Sequence, residues 1–179
     1  MHRLFVCSHK ITAIDEETCP TGEVININSG GAFDFFGESL LGPKYMVHGK
    51  RLRDDIKATD TQIQRGNGYD HNFIILPPGK VGVFGPKPYG GKIPYCAKLS
   101  NDLTDIKMDV YTSEPGVLLY DGVNLDGSTI GKNGIPIDSC CGICLETGHF
   151  PNSPNIEDFP STILRPGEEY TSTTIYNFS

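Results

Sequence analysis

The sequence predicts an all-β protein, an antiparallel β-sandwich, from two observations. Several segments alternate apolar and polar residues with a period of two, which is typical of strands buried on one face. Nearly a fifth of the 179 residues are glycine (21) or proline (13), against a usual combined share of roughly 12%. Such a composition implies frequent turns and argues against a helical bundle.

The strands are predicted from runs of apolar, β-branched and aromatic residues. The continuous apolar runs at 73–76 and 117–120 predict strands that are buried on both faces. Alternation predicts that Ile106, Met108, Val110 and Thr112 share one face, and that every second residue from Tyr170 to Phe178 does the same. The predicted strands, in chain order, are residues 24–28, 73–76, 106–112, 117–120 and 170–178.

Turns and helices complete the expected architecture. Pro-Gly pairs at 78–79, 115–116 and 166–167 favour type II turns, because proline fixes φ at the second position and glycine accepts positive φ at the third. One helix is expected between residues 44 and 64, and a single turn at 155–159. No repeat or linker interrupts the chain, so residues 1–179 are predicted to form one structural unit.

Charge and cysteine content limit the possible partners. The net charge is -7, with 15 basic and 22 acidic residues, whereas binding to nucleic acid or to anionic membranes requires clustered positive charge. No run approaches the roughly 18 apolar residues of a membrane-spanning helix, and the N-terminal residues lack a secretory pattern. We therefore expect a cytoplasmic protein in which the six cysteines are reduced thiols.

Residues 70–73, Asp-His-Asn-Phe, place three polar side chains at the start of a buried apolar run. Such a cluster at the mouth of a strand can present hydrogen-bonding groups to a ligand from a rigid element. The alternative is a local turn in which Asp70 bonds neighbouring backbone N–H groups. Both interpretations are open from the residues alone.

Glu146 lies in the sequence Cys144-Leu145-Glu146-Thr147. On a strand, Cys140, Cys144 and Glu146 would share one face, and a carboxylate beside cysteines would be poorly solvated. Its pKa would then rise toward that of a general base. The alternative is a glutamate on a solvated sheet face.

The cysteines and histidines give weaker signals. Cys140, Cys141 and Cys144 lack a second ligand pair for a metal, so core packing is the favoured interpretation and no metal is expected. Of the five histidines, His149 is the most interesting, because it follows Glu146 by three residues and a histidine can act as an acid near neutral pH.

A series of motifs occurs in a fixed order along almost the whole chain, at residues 14–16, 20–23, 32–35, 70–73, 110–117, 124–127 with 131–132, 144–147, 150–155 and 159–168. In this order the motifs resemble the C-terminal half of the aldose 1-epimerase (galactose mutarotase) family.

The resemblance implies both a fold and a reaction. Family members form a large antiparallel supersandwich, of which this chain would be about the C-terminal half. They interconvert the α and β anomers of free aldohexoses such as galactose and glucose without a cofactor. A carboxylate removes the proton of the anomeric hydroxyl, and a histidine protonates the ring oxygen. Glu146 matches the catalytic base, and Asp70 matches a carboxylate that binds sugar hydroxyls together with Glu146.

The sequence departs from the family pattern in ways that affect activity. The two histidine motifs of the family, one of which carries the acid, and a sugar-contacting arginine do not occur in these 179 residues. Leu118 stands where a glutamine would contact the sugar. We therefore expect impaired epimerase activity, unless an N-terminal half complements the chain. The alternative is a non-catalytic homologue that binds a carbohydrate or a protein partner.

Overall fold

The structure is a computed structural model, and it describes residues 2–36, 60–75, 93–101 and 103–179. Strands in this part of the chain form a four-stranded sheet, a five-stranded sheet and a two-stranded ribbon, and each pairing is antiparallel. The strands are β1 His2–Val6, β2 Lys10–Ile14, β3 Pro20–Asn26, β4 Asp70–Ile74, β5 Tyr95–Asn101, β6 Lys107–Thr112, β7 Gly116–Tyr120, β8 Asp126–Ile130, β9 Pro136–Asp138, β10 Cys144–Gly148 and β11 Thr174–Phe178. The predicted all-β antiparallel class is confirmed.

The two larger sheets enclose the main core. The four-stranded sheet has the order β1-β5-β6-β11, and the five-stranded sheet has the order β10-β7-β4-β2-β3. Inward-facing side chains from both sheets pack together with aromatic residues of the 32–36 segment. The fully buried members include Leu4, Val110, Phe73, Val117 and Leu119. Burial of their apolar surface is the main force that holds the sheets together.

The strand predictions are confirmed in place and corrected in detail. Residues 107–112 of the predicted 106–112 form β6, and residues 24–26 of the predicted 24–28 lie in β3, which begins earlier, at Pro20, and ends at Asn26. The run at 117–120 is not buried on both faces, because Leu118 and Tyr120 remain partly exposed. Their face of the five-stranded sheet is turned away from the four-stranded sheet, so only Val117 and Leu119 enter the core. Leu76 lies outside the described residues.

The C-terminal strand and the turns also differ in part from expectation. Regular pairing begins only at Thr174, so residues 170–173 precede the strand. Gly167 has a φ of 89°, and the Glu168 N–H donates to the Arg165 carbonyl at 3.0 Å, as expected for a type II turn. Gly116 instead lies in β7 without a positive φ, so the turn predicted there is wrong. The pair at 78–79 lies outside the described residues.

One short helix, α1 (Thr61–Arg65), falls within the predicted helical region. The Asp60 side chain caps it by accepting from the Gln62 and Ile63 N–H groups. The Gln62 amide bonds both backbone groups of Ile14, at 2.8 and 3.1 Å, and so fixes the helix to β2. Residues 44–59 of the prediction lie outside the described residues.

The helical turn predicted at 155–159 is wrong in position. A 3-10 turn occupies Ser153–Asn155 instead, closed by a bond from the Asn155 N–H to the Asn152 carbonyl at 3.0 Å. Phe159 lies outside this turn and packs against Phe150 in a small apolar cluster on the five-stranded sheet.

Side-chain bonds join the edges of the two sheets. β10 ends the five-stranded sheet and β11 ends the four-stranded sheet. The Thr147 and Thr174 hydroxyls are 2.6 Å apart, and the Tyr176 hydroxyl donates to the Leu145 carbonyl at 2.9 Å. These bonds connect β10 to the C-terminal strand.

Two further expectations concern the cysteines and membrane-spanning helices. All six cysteines are free, but this says nothing about the compartment, which stays a prediction. Within the described ranges, no helix is both long enough and apolar enough to cross a membrane.

Candidate functional site

Asp70 and Glu146 lie on the same face of the five-stranded sheet, the face turned away from the main core. Asp70 is the first residue of β4, and Glu146 is the middle residue of β10, with β7 between them. Across β7, Asn72 pairs with Leu118 and Leu118 with Glu146. At ordinary strand and residue spacings, the Cα atoms of the two acidic residues are about 12 Å apart, within reach of one ligand between their side chains.

Asp121 fixes the place where Asp70 enters the sheet. Its fully buried carboxylate accepts bonds from the Tyr69 N–H at 3.2 Å and the Val123 N–H at 3.0 Å. These bonds tie the start of β4 to the chain that leaves β7. Gly68 has a positive φ and a Cβ there would be 2.9 Å from the Asp121 carboxylate, so this close approach requires glycine.

The surroundings of Asp70 disfavour its charged form. Burial raises its pKa, and the negative charge of Glu146 raises it further. The charge of Glu146 thus acts on Asp70 from the other side of β7. This pair therefore combines two properties of a ligand site, convergence of acidic groups and a perturbed ionisation equilibrium.

Glu146 is exposed to solvent, so the expectation that neighbouring cysteines would leave it poorly solvated is wrong. The predicted sharing of a face is confirmed for Cys144, whose thiol pKa is raised by partial burial and by the charge and hydrogen bonding of Glu146. Cys140 is not on the strand at all, because it adopts a positive φ of 58° before β10 begins.

The core-packing interpretation of the three clustered cysteines is correct only for Cys140. Cys140 is buried, whereas Cys141 and Cys144 are exposed. The segment before β10 turns on the surface rather than running as a strand through the core. Within the described part of the chain, no three His, Cys, Asp or Glu side chains form a group that could hold a metal ion.

The polar triplet at 70–72 divides between the two faces of the sheet. Asp70 and Asn72 face outward, whereas His71 points into the core, where it is fully buried against Phe33. Burial lowers the pKa of His71 to about 4, so its imidazole is neutral near pH 7. The alternative of a local turn is wrong, because Asp70 pairs with Tyr120 in the sheet.

His149 is paired with a different carboxylate, Glu114, rather than with Glu146. The His149 Nδ1 atom is 2.9 Å from Glu114, and the Tyr170 hydroxyl donates to the other oxygen of Glu114 at 2.5 Å. Burial alone would raise the pKa of Glu114, but bonds from Ser172 and Tyr170 and the proximity of His149 outweigh it, so the pKa is lowered. We call this cluster the Glu114 clasp.

Sequence reasoning did not find the Glu114 clasp, because Glu114 and Tyr170 are 56 residues apart and bear no local pattern. Asn72, by contrast, could have been placed on the Asp70 face from strand alternation alone. The structure thus brings Asp70, Asn72 and Glu146 together on one face, and it separates His71 and His149 from Glu146 by their partners.

A cleft of about 450 Å³ lies at the end of β4 opposite Asp70, near Ile74, and its lining includes neither Asp70 nor Glu146. It is bordered by Ile74, Phe150 and Phe159 and is mainly apolar. A polyol needs hydrogen-bonding groups around it, so the polar face fits such a ligand better than this apolar cleft.

Comparison with known proteins assigns the chain to a family. The family model described as aldose 1-epimerase matches residues 1–177. The chain belongs to the aldose 1-epimerase family. It is 35% identical over 178 residues to galactose mutarotase from Homo sapiens and 28% identical over 179 residues to aldose 1-epimerase from Escherichia coli K12. The resemblance found in the sequence motifs is therefore confirmed.

Solved structures support the fold. An aldose epimerase homologue from C. elegans superposes with a TM-score of 0.72 at 23% identity, and galactose 1-epimerase from Lactobacillus acidophilus with 0.64 at 24%. Each comparison covers 99% of this chain but only 45% and 43% of those structures. The chain likewise spans 44% of the length of the human and bacterial relatives.

Proposed function

We propose that this chain provides the substrate-orienting and proton-abstracting face of an aldose 1-epimerase, with an aldohexose such as galactose or glucose as its substrate. The observation that carries the proposal is the convergence of Asp70 and Glu146 on one face, with the pKa of Asp70 raised by burial and by Glu146. In this chain Glu146 is the catalytic base, and Asp70 and Glu146 bind the sugar. No cofactor is needed for the reaction.

The proposed step begins when Glu146 takes the proton of the anomeric hydroxyl. The electron pair left on that oxygen forms the carbonyl, the bond between C1 and the ring oxygen breaks, and the ring oxygen accepts a proton from water. Rotation about the C1–C2 bond and reversal of these transfers give the other anomer. Exposure of Glu146 allows its carboxylate to exchange protons with water.

Two features support a low activity for the chain alone. Leu118 occupies the position between Glu146 and Asn72 on β7 and offers no hydrogen bond to a sugar. Neither His71, which is buried in the core, nor His149, which is bonded to Glu114, replaces the acid of the family's histidine motif. Since a general acid contributes about 10²–10⁴-fold, we expect a rate only modestly above the spontaneous one.

Polarimetry with freshly dissolved α-galactose tests the proposal. We expect the chain to accelerate mutarotation above the buffer rate and Glu146→Gln to abolish that acceleration. Glu17→Gln is the matched control, because Glu17 is an exposed glutamate in the turn between β2 and β3. A wild-type rate equal to buffer would overturn catalysis by this chain, and an unaffected Glu146→Gln rate would overturn the assignment of the base.

A further inference from the structure

Asn72 lies in the same row of the sheet as Glu146. Leu118 on β7 pairs with both of them, and Asp70 is two residues from Asn72 along β4. Because residues two apart on a strand share a face, Asn72 faces the same side as Asp70. The amide of Asn72 is therefore part of the face on which the two carboxylates converge.

The Asn72 amide is buried and incompletely bonded. The side chain is 3% exposed, and its Nδ2 atom has no hydrogen-bond partner in the described part of the chain. Buried amide nitrogens are ordinarily bonded, so an unpartnered one requires an explanation such as a ligand. Oδ1 would be only 2.4 Å from a Cβ at position 116, so the amide extends over Gly116 on β7.

Asn72 can supply a hydrogen-bond donor, which its neighbours on this face do not offer. Ionised carboxylates only accept hydrogen bonds, whereas each sugar hydroxyl both donates and accepts. Leu118 has no polar atom, and the Cys144 thiol is engaged with Glu146. Tyr120, whose hydroxyl accepts from the Asn124 N–H at 3.2 Å, lies in the row of Asp70 rather than that of Glu146.

We propose that Asn72 is a third sugar-contacting residue, whose Nδ2–H donates a hydrogen bond to a hydroxyl oxygen of the aldohexose held between Asp70 and Glu146. The inference rests on the proposed function and extends it. Asn72 orients the substrate and takes no part in proton transfer. Gly116 provides the space for its amide, which a larger residue would displace.

The side-chain resonances of Asn72 provide a direct test in the full chain. The protein is labelled with ¹⁵N, the Asn72 amide peaks are assigned, and methyl β-galactopyranoside, which cannot mutarotate, is titrated. We expect the Asn72 Nδ2 peaks to move together with the backbone peaks of Cys144 and Glu146. Movement of those backbone peaks without Asn72 would overturn the inference and leave the proposed function intact, whereas no movement anywhere would overturn both.

Substitutions then separate hydrogen bonding from packing. Asn72→Asp keeps the shape but replaces the N–H donor with an acceptor, and Asn72→Leu removes both polar atoms. We expect each to weaken binding of the methyl galactoside by about 3- to 10-fold, as loss of one hydrogen bond does. Unchanged binding in both folded variants would overturn the inference.

Thr12→Val is the matched control. Thr12 is fully buried with an unpartnered Oγ1, and the pairing of Ile11 with Phe73 places it beside Asn72 on β2, one strand farther from Glu146. We expect its binding constant to equal that of wild type. A loss equal to that of Asn72→Leu would assign the effect to packing and overturn the inference. Thermal unfolding of every variant verifies that it is folded.

Discussion

Two acidic regions flank β7 in this molecule, and they use their carboxylates in opposite ways. In the Glu114 clasp, one buried carboxylate receives bonds from Tyr170 and Ser172 and pairs with His149, and its pKa is lowered. On the site face, Asp70 has a raised pKa, and its carboxylate accepts no hydrogen bond from the described residues. The first carboxylate is bonded within the fold, whereas the second keeps free acceptor capacity, which we propose serves a ligand.

The contrast shows why closeness in sequence is a poor guide to a partner. His149 is three residues from Glu146 but bonds Glu114, which belongs to the connection before β7. Asp70 and Glu146 are far apart in sequence, but the charge of Glu146 raises the pKa of Asp70 across one strand. The hydrogen bonds that a carboxylate receives from its neighbours therefore distinguish one that is bonded within the fold from one that keeps free acceptor capacity.

The largest change in stability is expected from His71, which is buried in the core on the opposite side of β4 from Asp70. Because the folded-state pKa of His71 is about 4, below the ordinary 6.5, the unfolded chain binds more protons between these values. Stability is therefore expected to fall as the pH is lowered through this window, by about 3 kcal/mol in all. Urea unfolding at several pH values measures this.

The variant His71→Gln isolates this contribution, since it removes the titrating group. Its free energy of unfolding is expected to change less between pH 6.5 and 4 than that of wild type. An equal pH dependence in the two proteins would assign the acid sensitivity to other groups and weaken the distinction between core and site face.

An intermediate effect is expected in the Glu114 clasp. Glu114→Ala removes the partner of Tyr170 and His149, and we expect a loss of about 2 kcal/mol in the free energy of unfolding at pH 7. Glu157→Ala, at an exposed glutamate, is expected to change it by less than about 0.5 kcal/mol. Similar values for both variants would show that the clasp does not stabilise the fold.

The pH dependence of the Glu114 clasp has a definite sign. Because the folded-state pKa of Glu114 is lowered, its contribution is present above the ordinary glutamate pKa and is lost as pH falls through the lowered value. The difference in unfolding free energy between wild type and Glu114→Ala should therefore shrink in acid.

The smallest change in the free energy of unfolding is expected at Asp70, where substitution should stabilise the protein rather than destabilise it. Since its folded-state pKa is raised, the charged form is disfavoured in the folded protein, and Asp70→Asn is expected to stabilise it at pH 7 by less than about 1 kcal/mol. The control Asp126→Asn should instead destabilise slightly, because bonds from Ser128 lower the pKa of Asp126. Chemical denaturation midpoints compare the two, and destabilisation by Asp70→Asn would contradict the distinction.

The sequence predicted the fold class through local signals, whereas the roles of Asp70 and Glu146 followed from the motif series and stay predictions. Period-two alternation located β6, and the buried run at 73–76 located β4. It could not predict the solvation of Glu146, because that depends on β10 being the edge strand of its sheet. The failures at Cys141 and Gly116 have a similar origin, since backbone geometry set by neighbouring strands overrode the local pattern.

The Glu114 clasp was beyond sequence reasoning because it joins three segments that are distant along the chain. Each of Glu114, His149 and Tyr170 has an ordinary local context, and only the packing of the two sheets brings them into contact. The motif series, in contrast, carried information about long-range arrangement that composition and periodicity lack.

The bonds from Thr174 and Tyr176 to β10 give residues 174–178 an influence over the proposed base. Leu145 and Thr147, the residues on either side of Glu146, are the ones held by this final strand. A deletion or substitution that disturbed residues 174–178 would therefore displace β10, which carries Glu146, without changing the carboxylate itself.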